Sequence, residues 1–254
     1  MLPGNKMQAS DVLRAVEHRP WALPPEPWVM MQVWSDLLFA HWPVSVKQLQ
    51  SLIPAQLEID TFDGEAWVAI APFRLWLRPR SLPALPGISR FPELNCRTYV
   101  KFGGKPGVFF FSLDAGSRLA VWGARKFYLL PYFYAHIAVK GESSSVSYSA
   151  RRAASPASFN ATYRAESNVR RAQPGTLEHF LTERYCLYTH SHDHVYRAEI
   201  HHHPWPLQDA DCEIRESSIA HAAGIDLPAT RPLLHFAREL TVLIWRLRKA
   251  EPAA

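Results

Sequence analysis

The sequence predicts a mainly β protein of the α+β class, an antiparallel β-barrel or cone enclosing a cavity, with a few short peripheral helices. The stretch 91–134 gives the strongest reason. In it Glu93, Asn95, Arg97, Tyr99 and Lys101 alternate with Leu94, Cys96, Thr98 and Val100, and a period of two puts each set on its own face of a sheet. Turn signals recur at roughly eight- to twelve-residue spacing. No long helical pattern alternates with strand, which excludes a doubly wound α/β sheet. Closing the strands into a barrel would remove their exposed edges.

The elements follow in order. DVLRAVEH opens the chain as a short helix with Ser10 as its N-cap. RPWALPPEPW is proline-rich and extended, a segment that wraps over the body. WVMMQVWSDLLFAHWPV is rich in branched and aromatic residues and reads as strand. Ser45 caps a helix over VKQLQSLI, which Pro54 ends. QLEIDTF and EAWVAIAPFRLWL flank Asp63-Gly64, whose positive φ angles suit a two-residue hairpin turn. SLPALPGISRFP is a surface loop.

Three strands are expected next, LNCRTYVKF, GVFFFSLD and RLAVWGARKFYLL, separated by Gly103-Gly104 and by Asp114-Ala115-Gly116. YFYAHIAVK and SSVSYSARRA form a further hairpin, and SFNATYRA another strand. Thr176 caps the helix LEHFLTERY. CLYTH, HVYRAEIHHH and CEIRESS return to strand, SSIAHAAGI is a short helix or turn, and HFARELTVLIWRLR closes the chain as strand. With no repeat or linker, residues 1–254 read as a single domain. Residues 1–27 are its N-terminal helix and proline-rich wrapping segment, and 28–248 its barrel body.

Composition narrows the function. A net charge of +5 with scattered Lys and Arg argues against nucleic acid as a partner. Cys96, Cys186 and Cys212 are odd in number and lack CxxC spacing, so neither a disulfide framework nor a structural zinc is expected. The first residues lack the apolar core of a signal peptide, and no apolar run is long enough to span a bilayer. A cytoplasmic protein without membrane partners is the expectation. A homo-oligomer stays open.

G-x-S-x-G, Walker and G-x-G-x-x-G motifs are absent. The glycines at 103, 104 and 107 join two strands, where no helix follows to hold a phosphate. His190, His192, His194, His201, His202 and His203 cluster in sequence, and His201 with His203 could share a strand face toward a metal. However, SHDH reads as a turn tip and Pro204 ends the second strand, so no metal is expected. Cys96 belongs to the apolar face of its strand and reads as core.

Chemistry concentrates on the polar face instead. Arg97 with Arg118 or Arg125 could clamp a carboxylate through bidentate hydrogen bonds. His41 is a candidate base, against the plainer reading of a hydrogen-bonded core histidine. The same polar face could equally be a structural network of buried ion pairs.

DLLFAHWPV, LEIDTFDGEAWVAIAPF, FPELNCRTYV, FFFSLDAGSRLAVWGAR, LPYF, FLTERYCLY and HHPWPL resemble signature segments of the YqjF-like family of uncharacterised bacterial proteins. The resemblance covers residues 28–248. That family is similar in fold to the acetoacetate decarboxylase superfamily, which implies a β-barrel or cone around an internal cavity. The superfamily's decarboxylases form a Schiff base on a lysine in a Pro-Lys-Lys segment. Laid on SLDAGSRLAVWGARKFYLLPYF, Pro131 takes the family proline, and Tyr132 and Phe133 take the two lysine positions. Lys126 could serve only in a shifted register, so Schiff-base chemistry is not expected. The superfamily's acidic residue falls at Glu93 or Asn95.

Three readings follow. In the first, a cofactor-free enzyme acts on a carboxylate or carbonyl compound: Glu93 transfers a proton, Arg97 orients an oxygen, and Tyr132 or Tyr99 donates to an oxyanion. Asn95, Tyr99, Arg118, Arg125 and His41 would complete ligand binding. In the second, the cavity only binds a metabolite or partner. In the third, the polar strand is purely structural.

Overall fold

The computed structural model describes residues 8–85, 88–142 and 144–251. Residues 1–7, Pro86, Gly87 and 252–254, which belong to the expected domain and its proline-rich loop, lie outside the described residues.

The chain begins with α1 (Ala9–Arg14), β1 (Met30–Val44), α2 (Val46–Gln50), β2 (Glu58–Ile59) and β3 (Ala66–Pro79). β4 (Arg90–Phe102), β5 (Lys105–Ala115), α3 (Arg118–Tyr128), β6 (Tyr132–Glu142), β7 (Ser145–Arg152) and β8 (Ser158–Ala165) follow. After α4 (Leu177–Thr182) come β9 (Cys186–Ser191), β10 (His194–His202) and β11 (Leu207–Ser217). A 3-10 turn at His221–Ala223 leads to β12 (Leu233–Ile244) and β13 (Arg248–Lys249).

Among the described residues, all the strands join one 13-stranded sheet. Its pairings run in a closed circuit through β1, β3, β4, β5, β9, β10 and β12. A second circuit passes from β5 through β6, β7, β8 and β11 to β12. The wall from β12 through β1, β3 and β4 to β5 is common to both, so each of its faces meets a core. Leu94, Cys96 and Val100 of β4 face the core that includes Tyr148, Phe159 and Tyr163 of β7 and β8. Phe91 and Tyr99 face the other, with Leu187 and Ile200 of β9 and β10.

Two bulges make this two-sided wall possible. At Asp36, where φ is 51°, β1 slips against β3. Gln32 and Trp34 point to the second core before the slip, and Leu37 and Phe39 after it. On β5 an extra residue opposite Cys96 and Arg97 does the same for Phe110 and Leu113. A bulge moves side chains from one face to the other without ending the strand.

The structure corrects several expectations. Residues 118–128 form helix α3, although Val121, Trp122, Phe127 and Tyr128 suit a strand. Ser117 Oγ accepts from Ala120 N–H and starts the helix, and Leu129 ends it in the left-handed conformation with φ 53°. Topology requires it. β5 and β6 are parallel, and a parallel pair needs a crossover that a hairpin cannot supply. β5 is also parallel to β9, so the sheet is mixed where an antiparallel one was expected.

The Asp63-Gly64 turn forms, with φ of 51° and 81° and reciprocal bonds between Phe62 and Glu65. Its first arm departs, however: β2 pairs with β4 and not with β3. The first helix is capped by Gln8, whose N–H donates to Asp11, and not by Ser10. Arg19, in the N-terminal segment, donates to the Trp21 carbonyl beside it and to Glu199 and the Ile200 carbonyl of β10.

Candidate functional site

A cavity of about 380 Å³ opens inside the second core, within the size range of small-molecule sites. β4 gives it a row of inward side chains, Phe91, Glu93, Asn95 and Arg97. β3 lines the same wall beside these with Leu75, Phe73 and Ala71, since Leu75 pairs with Phe91, Phe73 with Glu93 and Ala71 with Asn95. Tyr132 enters from β6, Thr182 and Arg184 from the end of α4, and His202 from β10. α3 lies across the mouth with Leu119, Gly123 and Phe127.

Glu93 is the chemical centre. It is 3% exposed, and Tyr132 Oη donates to its Oε2 at 2.8 Å. Burial disfavours the carboxylate and pushes the carboxyl up to about 8; Asp114 adds to the rise, and the Tyr132 hydrogen bond opposes it. Near neutral pH the group is a carboxylic acid. The Tyr132 phenol is held well above its ordinary range by burial and by Glu93, so it stays a donor.

Along the same lining, cationic groups carry unpartnered donors. Arg97 Nε and Arg184 Nη2 are buried without a hydrogen-bond partner, as is the acceptor Asn95 Oδ1. The Arg97 guanidinium rests on the Phe39 ring at 5.1 Å. Arg184 is tied to Asp60 and to Phe180 O and lies 5.0 Å from the Tyr99 ring. Buried polar atoms are nearly always paired. Arg97, Arg184 and Asn95 all line the cavity, and a lining with two guanidinium groups fits an oxygen-bearing, anionic ligand head.

Below this floor Tyr99 Oη donates to Leu181 O at 2.8 Å and lies 2.8 Å from His41 Nε2. The phenol has one proton, so His41 Nε2 carries hydrogen and donates to Tyr99. Burial holds His41 well below the usual imidazole range, with Arg97 and His235 adding to it. Tyr99 and His41 thus brace the floor, outside the cavity lining.

Arg118 and Arg125 do not converge with Arg97. Both lie on α3 beside a separate surface pocket, Arg118 4.0 Å over the Tyr134 ring and Arg125 donating its Nε–H to Tyr132 O at 2.6 Å. Glu93, Asn95, Arg97 and Tyr132 do come together in the cavity. Phe133, next in the chain, points the other way and stacks 3.9 Å under Arg152.

Thr182, Arg184 and Gln32 were not legible as site residues, and His202 was legible only as part of the histidine cluster. That cluster disperses. His201 Nε2 meets Val12 O, His192 meets Ser191, and His194 meets Lys249. No group of three or more His, Cys, Asp or Glu among the described residues could hold a metal ion. Cys96 is fully buried in the first core, and burial pushes its thiol up to about 12. No helix among the described residues is long and apolar enough to cross a membrane.

Comparison with known proteins gives the family and the fold. The DUF2071 family, described as an uncharacterized conserved protein, matches residues 31–241. The uncharacterized protein YqjF of Bacillus subtilis (strain 168) is 50% identical over 230 residues, 90% of this chain and 95% of that protein. Among solved structures, acetoacetate decarboxylase from Legionella pneumophila superposes with a TM-score of 0.60 at 14% identity, covering 98% of each chain. The enduracididine biosynthesis enzyme MppR in complex with pyruvate gives a TM-score of 0.61 at 12% identity, over 91% of this chain and 93% of that one. An acetoacetate decarboxylase-like enzyme from Sphingomonas wittichii RW1 gives 0.60 at 14%, over 91% and 98%. At such identities the likeness is one of fold: mainly β with few helices, acetoacetate decarboxylase-like.

Proposed function

The chain belongs to the DUF2071 family, and we propose that it is an enzyme acting on a small carboxylate or carbonyl compound held in the internal cavity. We read the closed strand circuit as the barrel or cone that encloses this cavity. The observation that carries the proposal is Glu93, a buried carboxyl raised to about 8 in a cavity that Arg97 and Arg184 also line. A general acid or base works best with a pKa near the operating pH, and perturbed groups of this kind concentrate at functional sites.

Each residue then has a role. Arg97 and Arg184 hold the substrate oxygen, and Asn95 Oδ1 accepts from a hydroxyl or amide on it. Glu93, in its ionised fraction, takes a proton from the carbon beside the carbonyl. The electron pair moves to the carbonyl oxygen, where the guanidinium N–H groups stabilise it. The neutral acid returns the proton. Tyr132 holds Oε2, which leaves the acid proton on Oε1 for transfer.

This chemistry proceeds without an imine. No lysine is among the cavity's described lining residues, and Tyr132 stands at the position where the family resemblance places a lysine. The structures of MppR with pyruvate and of acetoacetate decarboxylases support a small carbonyl ligand by analogy of fold alone.

The test is exchange of hydrogen beside a carbonyl. Simple ketones, 2-keto acids and 3-keto acids are incubated with the protein in D₂O and followed by proton NMR. Wild type should catalyse exchange, and Glu93→Gln, with an unchanged circular dichroism spectrum, should not. Equal exchange in both would overturn the role of Glu93. A compound bound yet recovered without exchange would instead identify a binding module.

A further inference from the structure

We infer that the natural occupant is an amphiphile, a monocarboxylate or keto acid whose head sits at Arg97 and Arg184 and whose unbranched apolar tail runs to the mouth under α3. The inference rests on the reading above for the head; the tail is carried by separate observations.

The cavity is charged at one end only. Arg97, Arg184 and His202 lie at the floor, and Glu93 lies on the way out. Beyond Glu93 the lining is Phe91, Leu77, Ile88, Leu119 and Phe127, with the Gln32 amide beside Leu77 and no charged group among the described residues. Arg97 and Phe91 stand on one strand, and at about 3.3 Å per residue their separation is roughly 20 Å. A short keto acid bound at the guanidinium groups would leave the passage from Glu93 out to Phe91, Leu119 and Phe127 uncovered. A tail would fill it, removing apolar surface of both partners from water.

The mouth is also identified. Leu119 and Phe127 line the cavity and are nevertheless 59% and 62% exposed. Exposed large apolar side chains at the rim of a ligand groove mark a site of apolar contact. Between them on α3 sits Gly123, which lines the same passage. A Cβ added there would meet nothing within 4 Å. The smallest side chain in the helix therefore stands where the tail passes.

The test is a titration of wild type with saturated straight-chain monocarboxylates from butanoate to tetradecanoate by calorimetry. Affinity should rise about 3- to 4-fold per added methylene, the equivalent of about 0.8 kcal/mol, until the tail reaches the mouth, and then level off. Gly123→Leu, which favours the helix and so keeps the fold, should make the rise stop at a shorter chain. A length-independent affinity, or a length profile that Gly123→Leu leaves unchanged, overturns the tail while the head stands. Failure of every acid to bind, or equal binding to Arg97→Met, overturns the carboxylate reading itself and the tail with it.

Discussion

Tyr132 Oη donates to Glu93 Oε2 at 2.8 Å across strand β5, because Tyr132 pairs with Leu113 and Glu93 with Ala115 on its two sides. The parallel β5–β6 pairing brings the phenol to the carboxyl, and α3 makes that pairing possible. Tyr132 is the group that moderates the acid. Burial raises the Glu93 carboxyl and the phenol lowers it. Tyr132→Phe should therefore move the Glu93 titration further upward from about 8 and cost roughly 1–2 kcal/mol of stability for a lost buried hydrogen bond. Titration of the variant's carboxyl by ¹³C NMR, with urea denaturation alongside, checks both.

Stability should peak near pH 6.5. With Glu93 at about 8 in the fold and 4.5 unfolded, the native state keeps a proton that the unfolded chain releases. That contribution is complete below about 4.5 and is lost as pH rises through 8. The buried imidazoles act oppositely. His201 and His202 are lowered by burial to about 3 and about 4, and His41 is lowered as well. Their contribution is complete above 6.5 and is lost as pH falls, when the unfolded chain takes up protons the fold refuses. Each group gives a slope of about 1.4 kcal/mol per pH unit inside its window. Urea denaturation across pH 5–9 should show the maximum, and Glu93→Gln should flatten the alkaline side alone.

Asp114 and Arg152 form a buried bidentate pair, at 2.7 and 2.8 Å, on the face of the wall opposite the cavity. Asp114→Asn leaves the guanidinium buried and uncompensated, which costs about 3–5 kcal/mol. At roughly 2–4 °C per kcal/mol for a chain of this size, the Tm should fall by about 6–20 °C. The double variant Asp114→Leu with Arg152→Met should recover much of it in thermal melts.

Gly107 allows β5 to approach β9. A Cβ there would lie 2.7 Å from Cys186 Sγ and from the Tyr188 ring, and 2.8 Å from Cys186 O. Gly107→Ala must push the parallel pair apart, at about 1–3 kcal/mol for overpacking. A chemical denaturation midpoint lowered accordingly, with Gly123→Ala as a control that should not lower it because its Cβ enters open space on a helix, measures it.

The sequence showed the site strand clearly because β4 carries no bulge of its own. Strict alternation placed Glu93, Asn95 and Arg97 together. Where an extra residue interrupts a strand, at Asp36 or opposite Cys96, periodicity alone assigns faces wrongly beyond it. α3 was hidden by residues that suit strands, and only the parallel β5–β6 pairing, a long-range fact, demands a helix there. Arg184 and Thr182 carry no local signal. They reach the cavity because α4 ends against its floor, and nothing in FLTERY announces that. Arg118 and Arg125 failed to join Arg97 for the same reason, since their distance depended on the missed helix.

The most direct measurement is a pH titration of the Glu93 carboxyl in protein labelled with ¹³C at glutamate side chains, with Glu93→Gln to identify the resonance. The expected result is a carboxyl still protonated at pH 7 that titrates near 8, and a perturbation of that resonance when a carboxylate ligand enters. A resonance already ionised at pH 5 would contradict it, since Glu93 would then be an ordinary ion-paired carboxylate with no proton to give.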